Sequence, residues 1–153
     1  MPMRSHEDIL VFYKSLPTYN PQMTTGQPLH GKGTSYKNKD VTNNCYGDIK
    51  GTEDDRKGST EKYPTSIVRF QKPHPSCAVH PTQKSVELCE WLIKTYTNEG
   101  ETILDNCMGS GTTGVAAINT DRNFIGIELT EKYFKIAEDR INSAVEDKRC
   151  QLF

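Results

Sequence analysis

The sequence predicts an α/β fold: an incomplete parallel-type sheet with flanking helices and a polar insert. Two short apolar runs, TILDN at 102–106 and NFIGIEL at 123–129, are typical of buried strands. The stretch between them has room for one short helix, and strands joined in this way lie parallel with a right-handed crossover. Helical periodicity also precedes the first run and follows the second, so helices are expected to pack on this sheet.

Apolar segments are sparse in the first half of the chain. HEDILVFY at 6–13 and SIVRF at 66–70 combine β-branched and aromatic residues and predict two more strands. A first helix is predicted over about 83–97, with Thr82 as its N-cap. Its apolar stripe is predicted to contain Val86, Cys89, Leu92, Ile93 and Tyr96.

Two more helices flank the second apolar run. One, of about nine residues, begins at Thr112 directly after a glycine-rich turn. Thr130 is expected to cap the other. The buried face of this last helix is predicted to contain Tyr133, Phe134, Ala137, Ile141 and Ala144.

Composition limits the class of protein. The 153 residues carry a net charge of −1, which argues against a surface made basic for indiscriminate nucleic-acid binding. No apolar run approaches the roughly 20 residues of a membrane span, and the first residues lack the pattern of a secretory signal. A cytoplasmic protein without membrane contact is therefore expected. The five cysteines, odd in number and irregularly spaced, are expected to be reduced thiols.

One cluster has the residue types of a metal site: His74, Cys77 and His80 in HPSCAVH. A structural zinc site needs four ligands, and neither a nearby fourth ligand nor a C-x-x-C pair occurs. No metal is expected.

The glycine-rich turn is the main candidate for a ligand site. TILDNCMGSGTTGVAA at 102–117 contains the pattern G-x-G-x-x-G in Gly109, Gly111 and Gly114. A phosphate loop of the ATPase type has a lysine after its glycines, whereas Thr112 and Thr113 follow them here. The loop therefore favours another ligand that approaches bare backbone at a helix N-terminus.

Two carboxylates indicate the charge of that ligand. Asp105, at the end of the first strand, would repel the diphosphate of a dinucleotide, whereas it would favour the ammonium or sulfonium of S-adenosylmethionine. Glu128, at the end of the second strand, is placed to accept hydrogen bonds from ribose hydroxyls. A turn role for Asp105 and a helix-start role for Glu128 are the alternatives that these positions leave open.

These residues carry a resemblance. HPTQKSVELCEWLIKTYTNEGETILDNCMGSGTTGVAA followed by RNFIGIEL resembles the S-adenosylmethionine-binding half of bacterial and phage DNA methyltransferases that modify adenine N6 or cytosine N4. The resemblance implies a Rossmann-like methyltransferase fold, with adenine N6 favoured over cytosine N4, and it places HPTQK beside the methionine end of the cofactor. The predicted cofactor-binding residues are His80, Thr82, Lys84, Asp105, Gly109, Gly111, Thr112, Thr113 and Glu128.

The resemblance also implies what is missing. The cofactor motifs come last, as in the family's permuted class, whose catalytic Asp/Asn/Ser-Pro-Pro-aromatic element lies N-terminal. The eight prolines of this chain include no adjacent pair, and NPQM at 20–23 lacks both the second proline and the aromatic. No catalytic residue is therefore assigned, and the chain is expected to be the C-terminal portion of such an enzyme, inactive without an N-terminal portion. A partner chain or self-association is expected to cover its open sheet.

Four segments are expected on this basis: a core strand at 1–16, a target-recognition segment at 17–78, the S-adenosylmethionine-binding subdomain at 79–146 and a tail at 147–153. Between residues 22 and 75, nine Lys/Arg outnumber six Asp/Glu, and this mixed-charge stretch suits contact with double-stranded DNA or, alternatively, a disordered polar loop. Two other functions remain open: a non-catalytic S-adenosylmethionine- or DNA-binding regulator, and a small-molecule methyltransferase or NAD enzyme.

Overall fold

The computed structural model describes residues 6–28, 41–43, 47–49, 59–72, 74, 76, 79–80 and 82–150. Two compact units divide the chain: Pro21–Val68 is one, and Met1–Asn20 with Arg69–Phe153 is the other. The units divide the chain after Asn20 and after Val68, whereas the segment boundaries expected from the sequence are at residues 17 and 79. Residues on both sides of Pro21–Val68 join the same unit.

The described residues of the first unit form four short strands: β1 (Thr24–Thr25), β2 (Val41–Asn43), β3 (Gly47–Ile49) and β4 (Glu61–Lys62). β1 pairs with β4, and β2 with β3, both antiparallel. Much of the predicted target-recognition segment, including Tyr36 and Tyr46, lies outside the described residues.

The second unit confirms the predicted α/β order. Its elements are α1 (Val86–Tyr96), β5 (Thr102–Asp105), α2 (Thr112–Asn119), β6 (Asn123–Gly126) and α3 (Glu131–Cys150). β5 and β6 pair in parallel, with Thr102 opposite Asn123 and Asp105 opposite Gly126. This register brings the carboxyl ends of the two strands to one edge.

The core lies on one face of this strand pair. Ile93 of α1 and Ala116 and Ala117 of α2 are buried against each other, and Ile103 of β5 and Phe124 of β6 pack on them. α2 contacts α1, α3 and both strands, so this short helix lies at the centre of the unit. Small alanine side chains allow that close approach.

The opposite face of the strand pair is open in the described part of the chain. Leu104 and Ile125 lie opposite each other, and their side chains are 63% and 54% exposed. Ile127, just beyond β6, is also exposed. The strand predicted at 123–129 is shorter than its apolar run: β6 ends at Gly126, and only Phe124 of its apolar residues turns towards the core.

Two predicted strands do not form. Residues 6–13 and 66–70 have no strand partner within the described ranges, since a β-rich composition cannot supply one. Residues 6–13 are instead linked to the unit through Glu7, whose carboxylate pairs with Lys72 at 2.8 Å and also with Lys84.

The helix ends also differ from expectation. Ser85, rather than Thr82, caps α1 by accepting the N–H of Leu88 at 3.2 Å. α3 continues through Cys150, so residues 147–150 are helical where a tail was expected. None of the helices in the described ranges combines the length and apolar character needed to cross a bilayer.

We expect Gly114→Ala to destabilise the protein by about 1–3 kcal/mol, although alanine is the better helix former. A Cβ at position 114 would lie 2.7 Å from Cε1 of Phe124 and would overlap the side chain of Ile141. Urea unfolding monitored by circular dichroism measures the change. Ile141→Val in the same background should recover part of the loss, and a more stable Gly114→Ala variant would contradict this packing.

Candidate functional site

Backbone hydrogen bonds tie the glycine-rich turn to the end of β6. The N–H of Ile127 donates to the carbonyl of Asp105 at 2.9 Å, and the N–H of Met108 donates to the carbonyl of Ile127 at 3.0 Å. The N–H of Gly111 closes the turn on Met108 at 2.8 Å. The turn therefore follows from the parallel register, because both strands must end side by side for these bonds to form.

Glu128 connects that turn to the start of α3. Its Oε2 accepts the N–H of Gly109 at 2.9 Å, and its Oε1 accepts the N–H of Thr130 at 2.9 Å. The backbone hydrogen bond from Thr130 and the one from Gly109 hold the pKa of Glu128 below its ordinary range. The helix-start role left open by the sequence is thus present, and the ionised carboxylate keeps acceptor positions for a ligand.

Asp105 likewise has a local structural role. Its Oδ1 accepts the N–H of Cys107 at 3.1 Å, which is an Asx turn at the end of β5. A carboxylate has about four lone-pair positions, so one turn bond does not exhaust it. Asp105 and Glu128 therefore place two carboxylates at one edge of the sheet.

His80 lies over the loop. Its ring lies about 3.7 Å from the position that a Cβ on Gly109 would take, and it meets Tyr133 edge-on with ring centroids 4.4 Å apart. Nδ1 accepts the N–H of Thr82 at 3.2 Å, which assigns the proton of a neutral imidazole to Nε2. His80, Gly109 and Glu128 are thus brought together, with Thr82 orienting the imidazole.

Lys84 is directed elsewhere. Its ammonium pairs with Glu7, as does that of Lys72, and these two cations lower the pKa of Glu7 to about 2. The sequence carries no signal for this pairing, because 77 residues separate the two partners in the chain. A ligand carboxylate would have to compete with Glu7 for Lys84.

The two threonines after the glycines face neighbouring helices. Thr112 is buried, with Oγ1 3.4 Å from Nη1 of Arg140. Thr113 lies near the thiol of Cys89, whose pKa is raised chiefly by burial. Both residues belong to the packing behind the loop.

Arg140 is the residue that the sequence reasoning missed. It donates to the carbonyl and hydroxyl of Ser110 as well as to Thr112. Its position three residues after Ala137 places it on the predicted buried face of α3, which is the one signal that could have indicated it.

The superficial motif NPQM has a structural explanation. The side chain of Asn20 donates to the carbonyls of Lys94 at 3.3 Å and Thr97 at 3.2 Å, and its backbone N–H donates to Thr95 at 2.7 Å. Asn20 thus satisfies carbonyls at the end of α1, which a helix leaves without partners.

The described residues contain no group of His, Cys, Asp or Glu side chains arranged to hold a metal ion. His74 contacts Ser76 at 2.7 Å, and Cys77 lies outside those residues.

Two carboxylates, the N–H groups of a glycine turn and an imidazole therefore meet at the carboxyl edge of the strand pair. Such a set can accept hydrogen bonds from hydroxyl and ammonium groups and can approach a flat ligand through bare backbone.

Comparison with known proteins gives consistent findings. The profile of a family described as DNA methylase, for N6 and N4 modification, matches residues 2–139. The type II methyltransferase M2.DpnII of Streptococcus pneumoniae is 49% identical over 67 residues, which are 44% of this chain and 25% of that protein. The DNA adenine methyltransferase YhdJ of Escherichia coli is 43% identical over 65 residues, 42% of this chain and 22% of its own.

A solved structure is also similar. The crystal structure of the M1.HpyAVI–SAM complex matches with 44% identity and a TM-score of 0.48, over 56% of this chain and 42% of that one. The matches thus span a quarter or less of the two sequence relatives and less than half of this structural neighbour.

The lowered pKa of Glu128 predicts how acid affects the unliganded protein. A depressed folded pKa contributes stability that is present above the ordinary value of 4.5 and is lost as pH falls through the folded value. Thermal unfolding of wild type and Glu128→Gln between about pH 7 and pH 3 should show a difference that shrinks with acid. Glu131→Gln, an exposed carboxylate of α3, is the control, and equal pH dependence of wild type and Glu128→Gln would contradict the prediction.

Proposed function

This chain belongs to the N6/N4 DNA methylase family, and we propose that it supplies the S-adenosylmethionine site of a DNA methyltransferase. The observation that carries the proposal is the meeting of Asp105, Gly109 and Glu128 at the carboxyl edge of β5 and β6. Open α/β sheets bind ligands in the crevice outside the carboxyl ends of their strands.

Charge selects the ligand. Two carboxylates beside the turn disfavour a diphosphate, so NAD is a poor fit, whereas the ammonium and sulfonium of S-adenosylmethionine are attracted. We assign Glu128 to the ribose hydroxyls and Asp105 to the positively charged methionine end. His80, Thr82 and Gly111 form the remaining wall, which Thr112 and Thr113 support from behind. The similar protein M1.HpyAVI is seen in complex with S-adenosylmethionine in its crystal structure.

We expect S-adenosylmethionine or its demethylated product, but not NAD, to bind the purified 153-residue chain in a calorimetric titration. Glu128→Gln should weaken that binding about ten-fold or more, because a charge-assisted pair of hydrogen bonds is replaced by a neutral amide. Glu131→Gln should bind as wild type does. Circular dichroism verifies that each variant is folded.

Two results would count against this assignment. NAD binding without any response to the other two ligands would refute the cofactor. Unchanged affinity of a folded Glu128→Gln variant would leave Glu128 with its helix-start role alone.

The methyl acceptor that fits the family is an exocyclic amino group of DNA. We favour adenine N6 because the relative YhdJ is a DNA adenine methyltransferase. The target base would be turned out of the duplex to reach the donor. The mixed-charge segment at 17–78 is proposed to contact DNA, with Lys and Arg on phosphates. The chain's own part is to bind and orient the methyl donor, whose sulfonium would supply the methyl group and depart as a neutral thioether.

The catalytic element is proposed to come from other polypeptide, either continuous with this chain or separate. No two prolines are adjacent in the 153 residues, and Asn20 of NPQM is engaged at the end of α1. Leu104, Ile125 and Ile127 are exposed on the open face of the strand pair. Parallel sheets normally have both faces covered, so this face is suited to packing against other polypeptide. A cytoplasmic setting suits this DNA-directed function.

A second candidate is a regulator that binds S-adenosylmethionine or DNA and transfers nothing. The missing proline pair favours it. Complementation separates the two functions, because a regulator would stay inactive when the missing element is supplied.

We expect the lone chain to transfer no methyl groups to duplex DNA above background. Orientation and placed hydrogen-bond acceptors together can account for on the order of 10 kcal/mol of barrier reduction, and this chain lacks the element that orients the amine. The measurement is transfer of radiolabelled methyl to mixed-sequence DNA, with and without a co-expressed N-terminal half from a related enzyme.

Activity restored only by the added half would support the proposal, and Ile125→Lys on the open face should then reduce it. Saturable transfer by the lone chain would refute the need for a second portion and return attention to Asn20. Failure of every complementing half would favour the regulator.

A further inference from the structure

Helix α3 contacts the glycine turn at its tightest point. Gly111 has a φ of +75°, and a Cβ there would lie 2.8 Å from the Cβ of Ala137, which is fully buried. Both the backbone conformation and the space therefore require glycine. The position of α3 and the conformation of the turn are coupled at this contact.

Arg140 lies one turn further along α3 and contacts the residues on both sides of Gly111. Its Nη1 donates to the carbonyl of Ser110, lies 3.0 Å from Oγ of Ser110 and lies 3.4 Å from Oγ1 of Thr112. All three acceptors belong to the turn and the first residue of α2. One guanidinium thus bridges the tight point.

The position of Arg140 carries an electrostatic cost for the charged guanidinium. The Arg140 side chain is half-buried, and burial lowers its pKa. The ion pairs of the described residues include no carboxylate within 4.0 Å of it. A cation near the N-terminus of α2 is also disfavoured by the helix dipole. In the part of the chain that the structure describes, the hydrogen bonds of the Arg140 side chain go to Ser110 and Thr112. These contacts suit Arg140 to fixing the turn rather than to raising the overall stability of the protein.

We propose that Arg140 is a positioning residue for the cofactor turn. Glu128 holds Gly109 on one side and Arg140 holds Ser110 and Thr112 on the other. Both constraints depend on α3, which begins three residues after Glu128 and contains Arg140. Arg140 acts on the ligand only through the turn. The inference rests on the proposed cofactor function.

The test compares three variants of the whole chain by calorimetric titration with S-adenosylmethionine. Arg140→Met removes the donors and should raise Kd about ten-fold or more, while Arg140→Lys, a single shorter donor, should fall between it and wild type. Lys148→Met is the matched control, because Lys148 donates from the same helix to the Ile118 carbonyl at 2.6 Å, at the far end of α2. It should leave Kd within about two-fold while lowering the unfolding midpoint.

Amide hydrogen exchange of the unliganded chain gives an independent readout. Arg140→Met should speed exchange in the turn at 108–112 and leave the end of α2 unchanged, whereas Lys148→Met should do the reverse. Should Arg140→Met fail to fold, Arg140→Lys carries both measurements.

The outcomes separate the two proposals. If the wild type binds S-adenosylmethionine and the folded Arg140 variants bind it with the same affinity, the positioning role is overturned. Equal weakening by Lys148→Met and Arg140→Met would reduce the effect to lost stability and overturn it as well. Absence of wild-type binding would overturn the cofactor function, and the exchange pattern would then decide whether Arg140 fixes the turn.

Discussion

The parallel pairing of β5 with β6 is the constraint on which the candidate site depends. Their register places Asp105 beside Gly126, so both strands end at one edge and the chain after each must turn there. The backbone bonds between Asp105, Ile127 and Met108 can form only in that register. A slip of one residue would turn either Ile103 or Phe124 out of the core and would separate the two carboxylates.

The helices cover the two faces of the strand pair unequally. α1, α2 and α3 bury one face of the strand pair through small side chains and a glycine, while Leu104, Ile125 and Ile127 keep the other face exposed in the described residues. Apolar side chains on a parallel sheet stabilise the protein only when they are buried away from water. The open face is therefore a surface that another polypeptide can stabilise.

The structural roles of Asp105 and Glu128 leave room for the binding roles proposed for them. Each carboxylate accepts backbone N–H groups that organise the turn: Cys107 for one, Gly109 and Thr130 for the other. A carboxylate retains further lone pairs after one or two such bonds. The turn bonds fix where those lone pairs point, which is what an oriented ligand site needs.

The sequence by itself determined the strand–helix–strand order, the candidate turn and the two carboxylates, because periodicity and glycine spacing are local properties. Tertiary structure alone decided that residues 6–13 form no strand, since a strand needs a partner that composition does not specify. It also decided that Lys84 pairs with Glu7 and that Arg140 grips the turn. Those contacts join residues 77 and 30 positions apart, and only the packing of whole elements sets which side chains meet over such distances.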